Sequence, residues 1–253
     1  MSALLSSFAR SGWSDKQVYS LLSRRINKDT AIYYFPQHLS NSVAALGKVG
    51  GEVGATEHSV FEVVGDELMR RGPSAFKLQE LKDILWAFSK CGVENVPVFR
   101  TVAQYIVQTE RWEEGYTMES LSMLMYAFAK HAVVSANKAG GKLGIFDGIE
   151  KTIGEDAPLL FSKLVSMMEV NKCALMDLTN TLYAFSLVGF THDGLFGAAL
   201  EEVEGRLSRG GGGERKRASE ASEAAYIIRK RASDAAHIYL LHYCFVIYFL
   251  TPR

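Results

Sequence analysis

Apolar residues recur at helical spacing over most of the first 207 positions, and one short phrase punctuates them five times. It reads SSFARSG at 6–12, AALGKVG at 44–50, WAFSKCG at 86–92, YAFAKHA at 126–132 and YAFSLVG at 183–189. Anchored on Phe8, Leu46, Phe88, Phe128 and Phe185, the copies lie 38, 42, 40 and 57 residues apart. A period of roughly 40 residues with a shared apolar phrase is the signature of a helical-repeat array. Such arrays present extended surfaces, so recognition rather than catalysis is the first expectation.

Each unit reads as a helix pair. In the third, the pattern predicts helix A over 77–91, with Leu78, Leu81, Leu85 and Phe88 on one stripe and Ile84 at its edge. Gly92 stands where a glycine ends a helix. Helix B starts near Pro97 and carries Val98, Phe99, Val102, Ala103 and Ile106 at the same spacing. The fifth unit repeats this with Leu175, Leu178, Leu182 and Phe185, a stop at Gly189, then Leu195, Phe196, Ala199, Leu200 and Val203. The second pairs 39–49 with 60–69, and the first pairs 3–10 with 18–26 behind a Ser14-Asp15 cap. The fourth is longer. Its helix B is assigned to 158–169, and 133–157 reads as an insertion that loops out on one face. The fold class expected is all-α: an antiparallel helix-pair α-solenoid of about five repeats over 1–207.

Beyond it, 208–213 reads as a glycine-rich linker and 214–253 as a helical, apolar C-terminal tail. Within the tail, 235–250 is almost wholly apolar and aromatic, broken by His237 and His242. It falls short of the roughly 18–20 residues of a membrane span, so a buried terminal helix, an unrelated tail and a membrane anchor all stand as readings.

Composition narrows the classes. With 48% hydrophobic and 22% charged residues, the 253-residue chain is too apolar for disorder. Lys+Arg and Asp+Glu balance at 28 each, but residues 209–231 carry seven basic and three acidic side chains. The array is therefore slightly acidic overall, which weakens a purely electrostatic case for nucleic acid. Cys91 and Cys173 sit in apolar helical pattern without a Cys-x-x-Cys partner and read as small buried hydrophobes of a reducing compartment. No secretory signal is evident, and the first phrase reads as an interior helix, so the chain is expected to be a piece of a longer protein.

No catalytic constellation is expected. The 210–213 glycine run lacks phosphate-loop spacing, the six histidines lack metal-ligand spacing, and His192-Asp193 reads as a helix start with Asp193 as cap. The expectation is a non-enzyme with no cofactor and no metal.

The phrase aromatic-Ala-Phe-small-Lys-x-Gly after a leucine-rich helix, clearest at 81–92, 121–130 and 178–189, resembles the octotricopeptide and heptatricopeptide repeats. It is also similar to the leucine-rich region of FAST-kinase-like and RAP-domain proteins. The resemblance covers about 2–207. It implies an α-solenoid that binds single-stranded RNA in mitochondria or plastids and acts on transcript processing, stability or translation. Without it, the chain reads as cytoplasmic. Other proteins of an RNA-processing complex are further implied partners, and a membrane contact would run through 235–250.

Aligning the units on the anchor makes columns of candidate ligand-binding residues. Two positions after it stand Arg10, Lys48, Lys90 and Lys130. Five before it stand Asn41, Asp83 and Asn180; six before it, Lys82 and Thr179 among serines; two before it, Trp86, Tyr126 and Tyr183. On a wheel of about 100° per residue these columns fall away from the core stripe. They would offer a cation for phosphate, an amide or hydroxyl for a base edge and a ring for stacking. The competing readings are structural: lysines that meet the helix dipole, and aromatics that pack on the neighbouring unit. The alternative function is a protein-interaction scaffold of armadillo-like type, tethered to a membrane if the tail is an anchor.

Overall fold

The computed structural model describes residues 1–50, 58–109, 115–138, 145–190 and 192–209. Among the described residues are twelve α-helices and no β-strand. They are α1 (Ser2–Arg10), α2 (Lys16–Ser23), α3 (Lys28–Ala31), α4 (Pro36–Val49), α5 (His58–Arg71) and α6 (Leu78–Lys90). Then follow α7 (Val96–Gln108), α8 (Met118–Lys138), α9 (Ile145–Ile153), α10 (Ala157–Ser166), α11 (Leu175–Val188) and α12 (Asp193–Arg209). The tail, with the apolar 235–250, lies outside the described residues, as does most of the expected linker, whose first two residues end α12. No helix among the described residues is long and apolar enough to cross a membrane.

The repeated phrase works as a helix stop. Gly12 and Gly92 take φ of 73° and 66°, a region that costs other residues a steric clash. The turn lets Trp13 N–H reach Phe8 C=O at 3.1 Å and Val93 N–H reach Phe88 C=O at 2.9 Å. These bonds satisfy carbonyls that the helix end would otherwise orphan. In the fourth unit Ala132 replaces the glycine. With no left-handed stop, α8 runs on for 21 residues to Lys138. Residues 133–138, expected in a looped insertion, are therefore helix.

Starts are equally local. Asp15 accepts from Gln17 and Val18 N–H at 2.8 and 3.1 Å and caps α2. The Glu80 carboxylate accepts from Lys77 N–H at 2.8 Å ahead of α6, and Asp177 accepts from Ala174 N–H at 3.0 Å ahead of α11. Asn95 caps α7, with Pro97 in its first turn.

Helices α1, α4, α6, α8 and α11, which carry the five phrases, pack side by side in chain order. Three of their anchors meet the second helix of the preceding phrase's segment. Phe88 lies edge-on to Phe61 at 5.2 Å, Phe128 to Phe99 at 5.7 Å and Phe185 to Phe161 at 5.4 Å between ring centroids. All six rings are buried, and each such pair adds about 0.5–1.5 kcal/mol beyond its burial. The same contact made three times explains why the anchor and its period recur in the sequence.

Of the rest of the expected insertion, residues 145–157 are also built in, and 139–144 lie outside the described residues. Helix α9 packs against α7 and α8 and buries Ile149, Thr152 and Ile153. His131, fully buried on α8, joins the three elements. Its ring stacks on Phe99 at 3.7 Å, its Nε2 accepts from Asn95 N–H at 3.0 Å, and its Nδ1 lies 3.3 Å from Thr152 Oγ1. Two arginines on second helices secure the loops that lead into first helices. Arg71, paired with buried Glu67, donates to Ala31 C=O and Tyr34 C=O at 3.0 and 2.8 Å. Arg206, paired with Glu202, donates to Cys173 C=O at 2.8 Å and Asn171 C=O at 3.2 Å.

Candidate functional site

Packing α1, α4, α6 and the start of α8 side by side leaves a groove of about 620 Å³ on the face away from the anchors. Six of the twelve residues singled out in the sequence line it: Arg10, Asn41, Lys48, Lys82, Asp83 and Trp86. They come from α1, α4 and α6.

The cations are not equivalent. Arg10 and Lys48 are exposed, each in the last turn of its helix, where the dipole also favours positive charge. Lys82 was expected to face a ligand. Instead it is buried, its ammonium 2.9 Å from Asp83 Oδ1 and 3.4 Å from Glu119 Oε1. Its charge is cancelled within the groove wall. The reason is geometric: the position six before the anchor lies on the flank where one phrase-bearing helix meets the next. Ser2, Ser40 and Ser122 in the same column are buried too, and Ser122 Oγ donates to Asp177 Oδ1 at 3.3 Å across that seam.

Asn41 and Asp83 are half-buried in the groove, and Gln79 Nε2 donates to Asp83 Oδ2 at 3.4 Å. Trp86 is half-buried beside them. A Cβ on Gly47 would stand 2.7 Å from Trp86 Cζ3 and 3.2–3.3 Å from Ala87, so the glycine is what lets the indole and α6 lie on the α4 backbone.

The remaining six residues lie outside the groove. Tyr126 and Tyr183 stack on each other across α8 and α11, with ring centroids 5.8 Å apart and planes at 28°. Burial raises the Tyr183 phenol pKa. For these two rings, packing on the neighbouring unit is what the structure provides. Lys90 is exposed in the last turn of α6; Lys130 is half-buried, two turns short of the end of the extended α8. Thr179 and Asn180 are half-buried on α11.

Sequence reasoning missed Gln37, Gln79 and Glu119, which line the same groove. Each stands nine positions before its anchor in consecutive units, so the column was there to be read. At α12 the cap is made by His192, whose Nδ1 accepts from Leu195 N–H at 3.2 Å. Cys91 and Cys173 have thiol pKa values pushed up to about 11, burial being the main cause, as suits packing rather than thiolate chemistry.

The groove thus joins two exposed cations, an amide, a carboxylate pinned by a buried ammonium and a fixed indole. That set can pair with an anion, hydrogen-bond a polar edge and stack a planar ring. Comparison with protein-family models, curated proteins and solved structures finds no match to the chain.

Proposed function

We propose that this chain is an α-solenoid of about five antiparallel helix pairs that binds single-stranded RNA without catalysis, acting in the processing, stability or translation of organellar transcripts. The observation that carries the reading is the groove itself, lined by Arg10, Asn41, Lys48, Asp83 and Trp86 from three successive units. The repeated edge-on contacts of Phe88, Phe128 and Phe185 with the preceding units support the repeat architecture. Single strands splay their bases toward side chains, which a groove floored by an indole can exploit; an A-form duplex keeps its bases stacked inside. The organellar setting comes from the resemblance of the repeat phrase to octotricopeptide and FAST-kinase-like proteins.

The test replaces Arg10 and Lys48 together with glutamine in the full chain and measures affinity for labelled single-stranded RNA. Affinity falls, and the salt dependence of binding flattens, if these cations meet phosphates. Unchanged affinity and salt slope would refute the reading. A protein-interaction scaffold is the second reading, and one observation favours it: Asp83 and Glu119 neutralise Lys82, so the groove carries both signs of charge. Such a groove suits a peptide of mixed charge.

A further inference from the structure

Granting RNA binding, on which this rests, we propose that the groove selects guanine: the base stacks on Trp86 and its Watson–Crick edge donates two hydrogen bonds to the Asp83 carboxylate. Trp86 is the one aromatic of its column that lines the groove, since Tyr126 and Tyr183 are engaged with each other. Gly47 fixes the indole against α4 before any ligand arrives, so stacking on it requires no reordering of the ring.

Asp83 stands three residues before Trp86 on α6, and residues at that spacing are neighbours on a helix face. The carboxylate is held from both sides, Oδ1 by the Lys82 ammonium at 2.9 Å and Oδ2 by Gln79 Nε2 at 3.4 Å. Each oxygen keeps a lone pair beyond these contacts, and a carboxylate only accepts. Guanine alone among the four bases presents two adjacent donors, N1–H and N2–H, on its Watson–Crick edge. Adenine and cytosine set an acceptor ring nitrogen beside their amino group, and uracil flanks its single N–H with two carbonyls. Either would put a lone pair against the carboxylate. Asn41, on α4 in the same groove, carries an amide donor suited to guanine O6. Lys48 and Arg10 are left for the phosphates.

The test uses the full chain and four labelled five-nucleotide RNAs, adenines flanking a central G, A, C or U. The expected result is a preference for G of about tenfold or more. Asp83→Asn, which preserves shape and removes one acceptor, should cut that preference to within about threefold. Trp86→Ala should weaken all four about fivefold or more. The wild-type comparison stands without either variant. Salt-sensitive binding with equal affinity for all four bases, or a preference for another base, would overturn the guanine proposal and leave RNA binding intact. A G preference that survives Asp83→Asn would overturn the role given to Asp83. No binding to any of the four would overturn both.

Discussion

Acid should reach this fold first through His131. The side chain is fully buried, with its ring 3.7 Å from Phe99. Because Nε2 accepts from Asn95 N–H, the ring is neutral with its proton on Nδ1, where it donates to Thr152 Oγ1. Burial is the main force that lowers its pKa from 6.5 to about 3; Glu94 opposes this, and Lys138 and Lys151 add to it. The unfolded chain takes up a proton below about pH 6.5 and the folded chain does so only near pH 3. Stability is therefore complete above pH 6.5 and is lost as pH falls through this window. Between pH 7.5 and 5 the loss from this one group is about 2 kcal/mol, a large share of the roughly 5–15 kcal/mol that holds a typical domain. Glu67 and Glu94, whose pKa values are lowered, lose stability in the same direction only below the ordinary carboxylate value of 4.5. The higher window therefore isolates the histidine from them. The assay is urea unfolding followed by far-ultraviolet circular dichroism at pH 7.5, 6 and 5, on wild type and His131→Gln. Glutamine keeps an acceptor for Asn95 but does not titrate. The variant should be less stable at pH 7.5 and change by under about 0.5 kcal/mol down to pH 5. Equal pH dependence in the two proteins would refute the reasoning.

Three further outcomes follow from the same packing. Phe128→Ala removes a buried anchor and its edge-on ring pair with Phe99, and should cost about 3–5 kcal/mol in denaturant unfolding. Gly92→Ala places a Cβ at φ 66° with no atom within 4 Å, so its cost is backbone strain alone, about 1–2 kcal/mol by the same measurement. Arg10→Gln with Lys48→Gln should reduce the slope of log affinity against log salt for single-stranded RNA by about 1.4, or about 0.7 for each phosphate no longer neutralised.

The helices that carry the phrases and the glycine stops were legible because each depends on residues close in sequence. Leu81, Leu85 and Phe88 show their stripe to anyone counting turns, and Gly92 announces its φ. What a single helical wheel could not show is what flanks a helix on either side. It put Lys82 and Trp86 away from the core stripe, but α6 is pressed between α4 and α8, so those flanks are buried or half-buried. That is why Lys82 became a paired, interior cation and Tyr126 and Tyr183 became each other's partners. The end of α8 was misjudged although its cause, alanine for glycine at 132, was on display. The Arg71 and Arg206 contacts were hidden for a different reason: their partners are backbone carbonyls some 33–40 residues away, and carbonyls leave no mark in a sequence. The groove was half legible. Six of the column residues, on α1, α4 and α6, line it, and the acidic wall supplied by Glu119 was not foreseen.

Binding of the full chain to a pool of labelled single-stranded RNA, beside duplex RNA and at low and high salt, tests the central claim most directly. Salt-sensitive binding that prefers single strands is the predicted result. No binding at low salt, or equal binding of duplex, would contradict it and move the groove to a protein partner.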